Sequence, residues 1–480
     1  MAKKGKTLIP SAPSLEKSPS GISGLDEICL GGFPKGRPTL ICGSAGCGKT
    51  LFAMQFLIKG ITEYQEPGVF MSFEESGSDL AQNVSSLGFD LQKLTRQKKL
   101  HIDYVRVERS EIEETGEYDL EGLFIRLNYA IDSIGAKRVV LDTIEALFSG
   151  IQNQTLLRAE IRRLFEWLKH KGVTAIITGE RGENTMTRQG LEEYISDCVI
   201  LLDFRVVDQI ATRRLRIVKY RGSTHGTNEY PFLIDENGIS VIPITSLNLN
   251  YRVSKEIIST GIPTLDDLFK NGGYYRGSSV LLTGVAGTAK TILASHFAVS
   301  SCLRKEKVLY FSFEESPDQL IRNSRSIGIN LKPYIDSGVL IIHSSRPSLQ
   351  GLELHLLSLQ KLITQHNPGM VIVDPISSLI SVGSTSEVRG MLVRLMDLLK
   401  ISNVNAIFTS LTQQSSNAYN DATIDAVSSL ADTWINLKYD ETNGIRRREL
   451  LIIKSRGVGH YENVCNFSIS NKGIRLSPKK

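Results

Sequence analysis

A chain of 480 residues is longer than one hydrophobic core usually serves, so two domains are expected. Hydrophobic residues at 41% and charged residues at 22% exclude a disordered or fibrous chain, and a net charge of +5 is too mild to argue for nucleic-acid binding. The six cysteines form no C-x-x-C pair and no zinc spacing with His, and no run of about 18 apolar residues occurs, which points to a reduced, cytoplasmic protein that does not enter a membrane.

In chain order, residues 1–15 are rich in Lys, Ser and Pro, lack the apolar stretch of a signal peptide and read as a mobile arm. The first folded domain is expected over 16–245. Its organising stretch is GSAGCGKT, comprising Gly43, Ser44, Ala45, Gly46, Cys47, Gly48, Lys49 and Thr50, which fits G-x-x-x-x-G-K-[ST]. The apolar run Thr39-Leu40-Ile41-Cys42 leads into it and Leu51, Phe52, Met54, Phe56 and Leu57 follow, so the loop joins a strand to a helix. Backbone N–H groups of such a loop close around phosphate oxygens, at the positive end of the helix that begins there. Lys49 would reach the β- and γ-phosphates of ATP, and Thr50 would ligate Mg²⁺.

The strand Gly68 to Phe73 delivers Glu74 and Glu75 at its carboxyl end, where ligands bind in parallel sheets. The strand Arg138-Val139-Val140-Leu141 closes on Asp142, a Walker B arrangement for holding the metal. After the strand Leu215 to Val218 come Lys219 and Arg221, which are either solvated ends of a strand or fingers that reach the γ-phosphate of a neighbouring subunit.

The chain then repeats itself. Gly21-Ile22-Ser23-Gly24-Leu25-Asp26 returns as Gly261-Ile262-Pro263-Thr264-Leu265-Asp266. The loop returns as Gly284, Val285, Ala286, Gly287, Thr288, Ala289, Lys290 and Thr291, and the Glu pair as Glu314 and Glu315. The Walker B residue returns as Asp374, and the basic pair as Lys454 and Arg456. A polar linker is expected over 246–257 and a second domain over 258–480. Strands alternate with helices in both copies, so the fold class is α/β, with a mostly parallel sheet flanked by helices in each domain. Thr50 and Asp142 in one copy, and Thr291 and Asp374 in the other, are the candidate metal ligands.

The copies differ in two informative places. Gly48 becomes Ala289, a replacement expected to be tolerated because φ there should be negative, as at a helix start. Aligned on Asp197 and Asp432, the hydroxyls Ser428 and Ser429 stand where the first copy has Glu193 and Tyr194.

Two fused copies of a phosphate loop, a Phe-Glu-Glu-Ser segment and a Lys-x-Arg-Gly segment resemble the KaiC family of circadian-clock ATPases and autokinases, over about residues 18 to 475. The resemblance implies two tandem RecA-like P-loop NTPase domains and a homohexameric double ring with ATP at the subunit interfaces. It further implies slow hydrolysis in the first domain, with Glu74 and Glu75 positioning the water. In the second it implies phosphate transfer to an adjacent hydroxyl pair, with Glu314, beside Glu315, as base. Ser428 and Ser429 occupy the positions of that pair, as Ser-Ser where the family has Ser-Thr, and Thr423 matches another hydroxyl nearby. The family's long tail for KaiA is missing after Lys480, so KaiA-type regulation is not expected, and the expectation is either a KaiB-type partner on the first ring, in clock-like signalling, or a role outside a true clock, in stress signalling. A regulatory ATP-binding scaffold without kinase activity, and a RecA-type DNA-dependent ATPase, are the rival readings. The second predicts basic, aromatic-bearing DNA loops that the chain does not show.

Overall fold

The computed structural model describes residues 15–105, 120–148, 153–182, 195–207, 210–243, 253–349, 351–412, 427–442, 445–470 and 473–478. The arm up to residue 14, linker residues 246–252, Glu193, Tyr194 and Thr423 lie outside them. The chain divides into two compact units, Met1–Thr245 and Ser246–Lys480. Each is a RecA-like α/β domain built on a nine-stranded sheet.

In the first unit the strands lie in the order Gly238–Val241, Glu229–Asp235, Ile210–Tyr220, Cys198–Val207, Pro38–Gly43, Thr174–Glu180, Arg138–Asp142, Gly68–Ser72 and Leu100–Tyr104. From Cys198–Val207 to Leu100–Tyr104 they run parallel, and the remaining three are antiparallel. Parallel strands need crossover helices, which cover both faces, so the central strands must be apolar on both sides. Pro38–Gly43 is buried throughout. Ile41 joins a core with Phe33, Phe52 and Phe56, whereas Leu40 and Cys42 join a separate one with Leu127, Leu164 and Leu168. Each such side chain contributes about 1.5–3 kcal/mol by leaving water.

The helix Lys49–Glu63 supplies Phe52 and Phe56 to the first face, where the ring of Phe56 meets Phe33 edge-on at 5.5 Å. The helix Gln154–Lys171 covers the other face. Asn153 starts it by accepting from the backbone N–H of Thr155 at 2.9 Å and Leu156 at 3.3 Å, and Gly172 at φ 69° ends it.

The second unit repeats this order as Gly473–Pro478, Cys465–Ser470, Ile445–Ser455, Thr433–Thr442, Ser279–Gly284, Asn405–Leu411, Met370–Asp374, Val308–Ser312 and Leu340–Ser344. In both units the parallel strands end on one edge, because Gly43 is level with Glu180 and Leu202, and Gly284 with Leu411 and Leu437. The phosphate loops leave from that edge.

Candidate nucleotide sites

The first loop leaves Pro38–Gly43 and enters Lys49–Glu63 through Gly46 at φ 74° and Gly48 at φ 103°. A methyl on Gly43 would stand 2.5 Å from both Cys47 Sγ and the Leu202 carbonyl, so the close approach of loop to sheet requires glycine there. Around Gly46, by contrast, no atom lies within 4 Å of such a methyl, which leaves the loop open on that side. Lys49 is buried, and its Nζ donates to the carbonyls of Gly43 at 3.0 Å and Ser44 at 3.1 Å, which curls the ammonium over the loop.

Asp142 is buried at the end of its strand, where it accepts from the hydroxyls of Thr178 and Thr50. Burial raises its pKa, against the hydrogen bonds from Thr178 and Thr50 and the charge of Lys49, which pull it down. A hydroxyl beside a carboxylate is an all-oxygen donor set, so Thr50 and Asp142 fit a magnesium ion, which would need its other ligands from phosphate and water. Among the described residues no group of three or more His, Cys, Asp or Glu could hold a metal unaided.

The two Glu pairs are held alike. Thr143 donates to Glu74 at 2.8 Å and Asn83 to Glu75 at 3.1 Å. Ser378 donates to Glu314 at 2.8 Å and Asn323 to Glu315 at 3.2 Å. In each pair the first carboxylate is tethered to the segment just after the Walker B strand, and the second to the helix that follows the pair. Burial raises the pKa of Glu315, whose Oε2 is buried and has no hydrogen-bond partner among the described residues. Sequence reasoning missed the four tethers, although Asn83 and Asn323 follow their Glu pairs at equal spacing.

The second loop corrects one expectation. Ala289 has φ 78°, not a negative value, and it caps Lys290–Leu303 in the left-handed conformation as Gly48 caps the first helix. The bend between strand and helix demands that conformation of whichever residue stands there, and for alanine it costs roughly 1–2 kcal/mol. Bracing accompanies it. Tyr439 Oη donates to the Gly287 carbonyl at 2.6 Å, with Arg448 at 3.4 Å, and Thr288 Oγ1 donates to the Val285 carbonyl at 2.8 Å. Phe204, at the position of Tyr439 in the first unit, has no hydroxyl to do this.

Lys290 Nζ donates to the carbonyls of Gly284 at 2.7 Å and Val285 at 3.0 Å. Burial lowers its pKa to about 8, against the opposing pull of Asp374 and Glu314. Phosphate contact needs the charged form, so nucleotide affinity at this loop is expected to be full at pH 7 and to fall about tenfold per pH unit above 8. Binding at pH 8.5 should take up protons, measurable by calorimetry in buffers of different ionisation heat. Equal heats in all buffers would contradict the assignment.

The basic pairs lie elsewhere. Thr433 is level with Val280 on one side and Ser455 on the other, so Lys454 and Arg456 sit at the amino end of the parallel strands. The loop leaves the opposite end, beyond Gly284, roughly 17 Å away at about 3.3 Å per strand residue. Lys454 Nζ donates to the Ser428 carbonyl at 2.5 Å and Arg456 to the Ser429 carbonyl at 2.5 Å. Thus the structure gathers Lys454, Arg456, Ser428 and Ser429 into one cluster and keeps it away from the loop of its own unit. Lys219 and Arg221 occupy the matching end of the first sheet, where the Arg221 guanidinium lies 3.6 Å from Asp197.

A family model described as "ATPase: KaiC" matches residues 18–246 and again 258–480. The chain is 57% identical over 463 residues to the circadian clock protein KaiC2 of Synechocystis sp., covering 96% of this chain and 82% of that protein. It is 36% identical to the circadian clock oscillator protein KaiC of Parasynechococcus marenigrum, over 96% of this chain and 90% of the relative. It is also 36% identical to that of Synechococcus elongatus, over 96% and 89% respectively. Among the described residues no helix is long and apolar enough to cross a membrane.

Proposed function

The chain belongs to the KaiC family of ATPases, and from that premise we propose that it works as a homohexameric double ring that hydrolyses ATP slowly in its first unit and phosphorylates its own Ser428 and Ser429 in its second. The observation that carries the kinase half is the distance between parts. Acceptor hydroxyls and basic pair lie at one end of the sheet and the phosphate loop at the other, so transfer has to run between neighbouring chains.

Lys290 binds the transferring phosphate, and Glu314 takes the proton from the serine hydroxyl of the adjacent chain. Lys454 and Arg456 from that chain meet the developing charge, as Lys219 and Arg221 do in the first ring. Magnesium, held by Thr50 and Asp142 or by Thr291 and Asp374, neutralises charge on the phosphates when bound. Glu74 and Glu75 orient water in place of a hydroxyl. A cytoplasmic location, a KaiB-type partner on the first unit, the absence of nucleic acid as a partner, and a role in clock-like or stress signalling belong to the same reading.

Phosphosite mapping after incubation with ATP tests it. Phosphate is expected on Ser428 and Ser429, and Glu314→Gln, which keeps the size of the side chain and removes the base, should lower its incorporation about 10²–10⁴-fold. Wild-type protein bare at both serines would sink the kinase half, and full phosphorylation of Glu314→Gln would remove Glu314 as the base.

A further inference from the structure

Beneath the second nucleotide site runs a line of buried hydroxyls that the first site lacks. The Tyr310 hydroxyl, fully buried, donates to Asp374 Oδ2 at 2.6 Å, and Thr409 donates to the other oxygen of the same carboxylate. Ser295 lies against Tyr310, donates to the Thr291 carbonyl at 2.9 Å, and meets Ser324 Oγ at 3.3 Å. Ser324 belongs to the helix Pro317–Arg325, whose preceding residue Asn323 holds Glu315. The corresponding positions of the first unit are Phe70, Met54 and Val84, all apolar and all buried. Three separate elements have thus each acquired a hydroxyl at one spot, and a buried polar group is retained only where it is hydrogen-bonded.

We propose that Tyr310 is a positioning residue of the second site, which fixes the rotamer of Asp374 so that the carboxylate meets a magnesium nucleotide, with Ser295 and Ser324 joining it to the helix that holds Glu315. With both Oδ atoms engaged by fixed hydroxyls, the Asp374 carboxylate is held in one rotamer and would stay in place for a metal when one binds. In the first unit Thr178, from the neighbouring strand Thr174–Glu180, and Thr50 hold Asp142, whereas Phe70 on the other neighbouring strand, Gly68–Ser72, has no hydroxyl to add. The proposal rests on the reading that the second loop binds magnesium and ATP.

The chain has two tryptophans. Trp434 donates through Nε1 to Thr283 Oγ1 at 2.8 Å, one residue before the second loop, and Trp167 stacks on Phe124 in the first unit. In a Trp167→Phe background, energy transfer from Trp434 to a fluorescent non-hydrolysable ATP analogue therefore reports the second loop in the full chain.

Tyr310→Phe is expected to raise the magnesium concentration at half saturation about tenfold, the worth of one hydrogen bond to a charged group, and to leave analogue binding in EDTA unchanged. The triple variant Tyr310→Phe/Ser295→Met/Ser324→Val should behave the same way. It copies packing that the first unit already uses, so it separates positioning from folding. An unaltered magnesium requirement in either variant, or an equal loss of binding with and without magnesium, would overturn the proposal. A Trp167→Phe protein, otherwise unaltered, with no Trp434 signal at all would overturn the underlying nucleotide assignment, and Tyr310's role with it.

Discussion

A chain carrying Lys290→Ala is expected to stay unphosphorylated by itself, and to gain phosphate on Ser428 and Ser429 when mixed with a chain carrying Ser428→Ala and Ser429→Ala. The first has acceptors but no working second loop, and the second has the loop but no acceptors. Each alone should lose essentially all incorporation, since removing a preorganised charge at a transferring phosphoryl group costs about 10²–10³ in rate. Rescue follows from the register of the second sheet, which puts Val280 beside Thr433 and Gly284 beside Leu437, so that loop and serines face opposite ends. Transfer within one chain would have to cross the length of that strand. Mixed rings made by subunit exchange, followed by mass spectrometry of the Lys290→Ala chain, provide the measurement. A blank result in verified mixed rings would rule out transfer between chains.

Gly60→Ala should destabilise the first unit by about 3–5 kcal/mol, in the range reserved for overpacked cores and broken buried ion pairs. Arg138 enters the core from its strand with no exposure at all. It donates through Nε to Glu66 at 2.6 Å and through a terminal nitrogen to the Phe56 carbonyl at 2.8 Å, with the guanidinium 4.4 Å from the Phe56 ring centre. A methyl at Gly60 would stand 2.4 Å from both Cδ and Nε of that side chain. The arginine cannot retreat without leaving Glu66 and the carbonyl unpaired. Thermal unfolding of the full chain should show the transition of the first unit moving down while that of the second holds. Because Gly60 and Arg138 share one space, Gly60→Ala should cost far less in an Arg138→Ala background. Strict additivity of the two changes would contradict the packing argument.

The second unit solves the same problem with different residues, which shows what the sequence could and could not convey. Met370 stands where Arg138 does, and Glu306, the counterpart of Glu66, pairs with Arg276 at 2.6 Å and Arg304 at 3.2 Å. The phosphate loops, the Glu pairs, the acidic strand ends and the duplication were legible, because each is a contiguous string whose chemistry depends on local geometry. The hydroxyls around Asp374 were not, since Tyr310 and Thr409 reach it only through the order of strands in the sheet. The sign of φ at Ala289 is hidden from the sequence for a related reason. A residue just before a helix takes its conformation from the bend that strand and helix together dictate, not from the helix alone. Likewise, the sequence alone does not show that the basic pairs lie opposite the loops of their own units, since that follows from the register of the strands.

The place of the strand Pro38–Gly43 also bears on how the protein is made. Its two neighbours in the sheet are Thr174–Glu180 and Cys198–Val207, both synthesised long after it. At roughly 5–20 residues per second the strand that carries the first phosphate loop waits on the order of ten seconds with both edges unpaired as the chain leaves the ribosome. The second unit repeats the delay, because Ser279–Gly284 awaits Asn405–Leu411 and Thr433–Thr442. A nascent chain stalled before residue 174 therefore carries the whole first loop and neither of the strands that pair with Pro38–Gly43, and is the stage at which ribosome-associated chaperones have that apolar strand to shield.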